Sequence, residues 1–137
     1  MAECHGIRYL IVIKPQAVNA MEKLKQISVR RKKAHARFVA LQSKVYAGFL
    51  AMEQATYTDG ALPRRQKELI AVAISVVRNC ESCMQWHIEQ AAKTGASFEE
   101  VLEAIEVAIE MGGGPATVSA RFALEVMDSV GLRPGRP

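Results

Sequence analysis

The chain has 137 residues, half of them hydrophobic, a formal net charge of +4 and three cysteines. That length fits one domain, able to bury a core without a metal or disulfide staple. So modest a charge makes no nucleic-acid case by itself, and no window approaches the roughly 18 apolar residues of a membrane span, so the expectation is a soluble cytoplasmic protein. Aromatics are only 6% of the chain, whereas Ala, Val, Ile, Leu and Met are plentiful. That bias suits helices packed on helices.

The first 19 residues read as an N-terminal arm or lead-in. Their apolar run IRYLIVI, residues 7–13, is short for a signal-peptide core and has no small-residue cleavage site; at most it forms a short strand. From about Ala20 to Tyr57 the pattern is helical, with Phe38, Leu41, Val45, Phe49 and Met52 in one apolar stripe at spacings of three and four. The basic run Arg30–Arg37 (RRKKAHAR) reads as a solvated helix face.

Asp59-Gly60 then turns the chain, and Pro63 suits the first turn of a helix over 63–78. Its inner side is expected to carry Leu69, Ala73, Val76 and Val77, with Glu68 near its start. A helix over 81–94 stops at Gly95. Ser97 with Glu100 forms a capping-box pattern for the next, whose stripe is Val101, Leu102, Ile105, Ala108 and Ile109. Gly112–Pro115 (GGGP) ends that helix and starts a last one to about Val130; it lacks the Lys and Ser/Thr of a phosphate-binding loop. Residues 20–131 thus read as a single all-α domain, and 132–137 as a loose tail.

The chemistry concentrates in NCESCMQWHIEQAAKTG, Asn79 to Gly95. On a helix, Cys80, Cys83 and His87 stand at i, i+3 and i+7, within about 60° of one face. A helix N-terminus lowers a thiol's pKa and raises the thiolate fraction, and a nearby imidazole moves protons. Asn favours turns. A turn near Arg78-Asn79 would fold two antiparallel helices together and set Glu68 level with residues 87–90, facing His87. Alternatives stay open on residues alone. The two thiols could be inert packing. With His87 they could also supply three zinc ligands, where a closed site wants a fourth, drawn from Cys4, His5 or His35. Trp86 reads as packing or a pocket wall.

Glu68, Cys80, Cys83 and His87 follow the pattern E-x(11)-C-x-x-C-x-x-x-H, and ELIAVAISVVRNCESCMQWHIEQAAKTGAS, residues 68–97, resembles the AhpD-like members of the carboxymuconolactone decarboxylase family. The resemblance covers about residues 40–130 and matches the single-repeat form. It implies an all-helical bundle around a central helical hairpin carrying the C-x-x-C, assembled as a homo-trimer or homo-hexamer. It further implies an alkylhydroperoxidase: Cys83 attacks a small-molecule hydroperoxide and becomes a sulfenic acid, Cys80 resolves it as a disulfide, and Glu68 and His87 relay protons. A dithiol donor, which the residues do not name, would restore the pair. No cofactor, metal, nucleic acid or membrane is implied. Ser82 stands where some peroxidase members have a histidine. The helix dipole, taken alone, favours Cys80 as attacker. Two other classes remain open: a lyase acting on a ring lactone, although decarboxylase members lack the C-x-x-C, and an oligomeric interaction protein with a vestigial dithiol.

Overall fold

The computed structural model describes residues 15–135. The apolar run at 7–13 with its expected strand, and Cys4 and His5 as zinc-ligand candidates, lie outside the described residues. Among those described, the chain is all helix: α1 Pro15–Ala40, α2 Lys44–Thr56, α3 Arg64–Val77, α4 Glu81–Lys93 and α5 Phe98–Ser129, with no strand. No described helix is long and apolar enough to cross a membrane.

The local signals explain most boundaries. Asp59 Oδ1 accepts from the Arg64 N–H at 2.6 Å and starts α3 just after Pro63. Gly95 ends α4 at φ 85°, a left-handed conformation that costs glycine little. Ser97 and Glu100 form the expected capping box at the start of α5. Within α5 the helix breaks at Gly113 (φ 64°, ψ −151°), so the two helices expected on either side of GGGP are the two halves of α5. Gly112 is required there by space: a Cβ on it would lie 2.7 Å from the Ala116 Cβ.

Two boundaries differ. α1 begins at Pro15, inside the stretch read as an arm over 1–19, and the stretch read as helical over 20–57 divides into two helices joined by a tight turn at 41–43. Gln42 takes φ 52°, and Ser43 caps α2 by accepting from the Tyr46 N–H at 3.2 Å. The apolar spacing continues across the turn, so periodicity alone hides it.

The core is made by α3, α4 and the two halves of α5, each packed on the others. Val72 and Val76, Met84 and Ile88, and Val101, Ile105, Ala123 and Val126 are all essentially inaccessible to solvent. The inner side of α3 is shifted from the expected one: Val72 takes the central place, while Val77 faces out, half exposed. α1 reaches this bundle through α4 and α5, and Leu24 is its one buried apolar residue among those described; of the described elements, the α2 backbone approaches α1 alone. From Lys25 through Lys67 no residue is buried. The whole stripe Phe38, Leu41, Val45, Phe49, Met52 is exposed. At the other end, Leu132 N–H donates to Met127 O and Gly135 N–H to Glu99 Oε1 at 2.9 Å.

Candidate active site in the helical hairpin

α3 and α4 form the central hairpin. Arg78 closes α3, and Asn79 turns the chain at φ 51°, a left-handed conformation that asparagine tolerates. Ser119 Oγ of α5 donates to Asn79 Oδ1 at 3.0 Å and fixes the turn against the bundle. Cys80 follows as the N-cap of α4, extended (φ −99°, ψ 91°), with its Sγ accepting from the Cys83 N–H at 3.3 Å. Cys80 therefore stands just outside the helix, not on its first turn. The two Cα atoms are 5.2 Å apart and the cysteines form a disulfide. Cap position and thiol are thus one feature: the extended Cys80 brings its sulfur to the first turn, where free N–H groups favour negative charge.

Glu68 of α3 is 1% exposed. Its Oε2 accepts from His87 Nδ1 of α4 at 2.9 Å, and its Oε1 from Arg64 Nε at 3.3 Å. Arg64 Nη2 in turn donates to Gln90 Oε1 at 3.3 Å. A buried carboxylate needs such partners, because leaving it unpaired costs several kcal/mol. With Nδ1 engaged, Nε2 is the free nitrogen of His87. One helical turn separates His87 from Cys83, so the two are neighbours on the surface of α4.

Tyr57, at the C-terminal end of α2, lies over His87 with ring centroids 5.4 Å apart. Burial raises its phenol above 10.0, and the nearby Glu68 and Glu53 carboxylates push it further. Leu50, Glu53, Tyr57, Arg64, Glu68 and Trp86 line an open groove of about 560 Å³. Trp86 is thus a pocket wall; the Arg31 guanidinium lies 4.9 Å from its ring centre.

All four residues picked from the sequence lie in this hairpin, Glu68 paired with His87 and Cys80 bonded to Cys83. Sequence reasoning missed Tyr57, Arg64 and Gln90. Only Arg64 left a trace, four residues before Glu68 on the same helix. His35, the described candidate for a fourth zinc ligand, instead meets Tyr46 Oη at 2.9 Å. Among the described residues, no three His, Cys, Asp or Glu side chains are grouped to hold a metal ion.

A helical bundle whose central hairpin presents a C-x-x-C pair beside a buried Glu–His pair defines a class of small all-α thiol proteins. Within it, the chain belongs to the carboxymuconolactone decarboxylase family, which it matches over residues 43–126. It is 44% identical over 82 residues to the uncharacterized protein 4 in cox locus of Paracoccus denitrificans, spanning 60% of this chain and 74% of that one. An uncharacterized protein of Cupriavidus necator is 38% identical over 89 residues, 65% and 79% of the two chains. Among solved structures, a carboxymuconolactone decarboxylase family protein of Legionella pneumophila superposes with a TM-score of 0.76 at 35% identity, over 80% of this chain and 97% of that one. A Thermotoga maritima member of the family, suggested to be involved in antioxidative response, superposes with a TM-score of 0.70 at 26% identity, over 77% and 89%.

Proposed function

We propose that this protein is a thiol-dependent peroxidase that reduces hydroperoxides through the Cys80–Cys83 pair, with Glu68 and His87 as its proton relay. The observation that carries the reading is the hydrogen bond between buried Glu68 and His87, one turn from Cys83, which lies close enough to Cys80 to bond. A carboxylate on Nδ1 orients an imidazole so that Nε2 takes a proton from a thiol and returns it to a leaving group. Family membership and the description of the Thermotoga relative are consistent with an antioxidant role.

In this reading the Cys83 thiolate attacks the terminal peroxide oxygen. The O–O bond breaks, Cys83 becomes a sulfenic acid, and the alkoxide leaves as an alcohol with the relayed proton. The Cys80 thiolate then attacks the Cys83 sulfur, water departs, and the disulfide remains. A dithiol donor reduces it, supplying two electrons and two protons. The Cys83 N–H that points at Cys80 Sγ favours Cys80 as the thiolate released in that reduction, because a stabilised thiolate leaves faster. Attack by the donor then falls on Cys83. The active form is proposed to be a homo-oligomer, as the resemblance implies.

Peroxide consumption with a dithiol reductant tests the reading: the wild type turns over and Cys83→Ser does not. A trapping reagent should find a sulfenic acid on Cys83 in Cys80→Ser, and none on Cys80 in Cys83→Ser. The reverse pattern would exchange the two roles. No oxidation in either variant would remove the peroxidase reading and leave the ring-lactone lyase.

A further inference from the structure

The α1–α2 arm presents an apolar surface that stays exposed, with no other described element packed over it. No residue from Lys25 to Lys67 is buried, and Val45, at the middle of the stripe, is 86% exposed. Phe38, Tyr46 and Phe49 stack on one another, with ring centroids 4.7 Å and 6.3 Å apart, and His35 meets Tyr46 edge-on, yet Phe38 and Phe49 stay about half exposed. Two helices with so little burial are marginal in water.

A second apolar surface lies elsewhere on the molecule. Ile70, Ile74 and Val77 form a half-exposed row along α3. Val77 abuts Gly112, next to the exposed Met111, and Val107 continues the surface one turn back along α5. The charges beside the two surfaces are opposite. α1 carries seven Lys or Arg against the single acid Glu22, whereas α5 carries seven Asp or Glu against Arg121 alone. Glu103, Glu106 and Glu110 share the exposed side of α5 with Val107 and Met111.

We infer that the α1–α2 arm of one copy seats on the α3–α5 face of the next, basic against acidic and stripe against row. The contact joins two different surfaces, head to tail, so successive copies form a ring where the rotation between them closes. It also completes the site. α2 contributes Leu50, Glu53 and Tyr57 to the groove but its backbone approaches only α1, so the neighbouring copy is what holds that wall against His87. The resemblance implies an oligomer; the pairing of these two faces and its coupling to the groove are read from this chain.

Charge exchange tests it. One variant carries Arg30→Glu, Lys33→Glu and Arg37→Glu; another carries Glu103→Lys, Glu106→Lys and Glu110→Lys. Each alone should self-associate at least about tenfold more weakly in sedimentation velocity, because like charges then oppose across the contact. Trp86, the only tryptophan, lines the groove and should shift its emission to longer wavelength as the wall loosens. Mixing the two variants makes every contact between unlike copies complementary again, all of them in an even ring and two of three in a trimer. It should raise assembly above either variant alone and return the emission toward shorter wavelength. Variants that associate like the wild type, or a mixture no better than its parts, overturn the proposal; the former points to a face meeting its own copy. A wild type that stays monomeric and co-sediments with anionic phospholipid vesicles also overturns it, in favour of a membrane surface. Should a triple variant lose its helical signal, Val45→Asp carries the test: unchanged assembly refutes the contact and loss of assembly supports it. None of these readouts needs turnover, so the peroxidase reading and the interface stand or fall separately.

Discussion

The α3–α5 bundle and the α1–α2 arm are made of comparable residues and end in opposite environments. α2 is on average more apolar than α3 or α4, yet it buries nothing, while α3 buries a glutamate among its valines. Apolar content does not decide burial; what lies opposite does. In the bundle, three elements face one another and even Glu68 is enclosed, held by Arg64 and His87. Beyond Arg31, whose guanidinium reaches Glu89 at 3.4 Å, the arm leaves the bundle, and the next contact back is Tyr57 over His87. The chemistry therefore sits on the hairpin, under a wall that meets it at Tyr57 and is tied to α3 where the Lys67 ammonium donates to Thr58 O at 2.6 Å.

The sharpest contrast is expected at the relay. Glu68→Gln or His87→Ala should slow peroxide turnover by on the order of 10²–10⁴-fold, and alkylation of the reduced dithiol at neutral pH by up to about thirtyfold, the gap between a fully ionised thiol and an ordinary one. Arg64→Met should slow both to a smaller degree, and Arg64→Lys should recover part of the loss by keeping a cation on Glu68. If neither Glu68→Gln nor His87→Ala changes the alkylation rate or its pH profile, the pair is not coupled to the thiols.

Core deletions come next. Met84→Ala should destabilise the chain by about 2–5 kcal/mol in denaturant unfolding, since Met84 is fully enclosed. Val45→Ala should change the monomer by less than about 0.5 kcal/mol while weakening self-association. Equal costs at the two sites would mean the arm is part of the same cooperative unit.

The caps give a smaller contrast. Ser97→Ala removes half of a capping box and should cost about 1 kcal/mol of global stability. Ser43→Ala removes a similar hydrogen bond, but its effect should appear in hydrogen exchange of α2 and in assembly rather than in the global transition.

The smallest effect concerns Tyr57. A phenol held above its ordinary value binds its proton more tightly in the folded chain, so its contribution to stability is full below pH 10.0. It is lost as pH rises through the raised value. The wild type should lose stability over that alkaline range, and Tyr57→Phe should flatten the slope. Burial is the leading cause of the shift, so a phenol that titrates at its ordinary value in the charge-exchange variants would show that α2 has left His87.

Much of this was legible in the amino acids because it is local. The helix period of Val101, Ile105 and Ala108, the Ser97–Glu100 cap, Gly95 and the GGGP corner all act within a few residues, where backbone sterics and hydrogen bonding allow few solutions. The C-x-x-C and the histidine one turn on were equally local, and the family resemblance covered the region that forms the bundle. Asn79 pointed to the hairpin and so to Glu68 facing His87. Tertiary structure alone decided which apolar stripe is buried. An amphipathic period says that a helix has a face, not what covers it; Val72 displaced Val77, and the Phe38–Met52 stripe turned outward. It also assembled Tyr57, Arg64 and Gln90 around the relay, because a contact between α2, α3 and α4 depends on how three helices are placed. No spacing along a single chain encodes that placement directly.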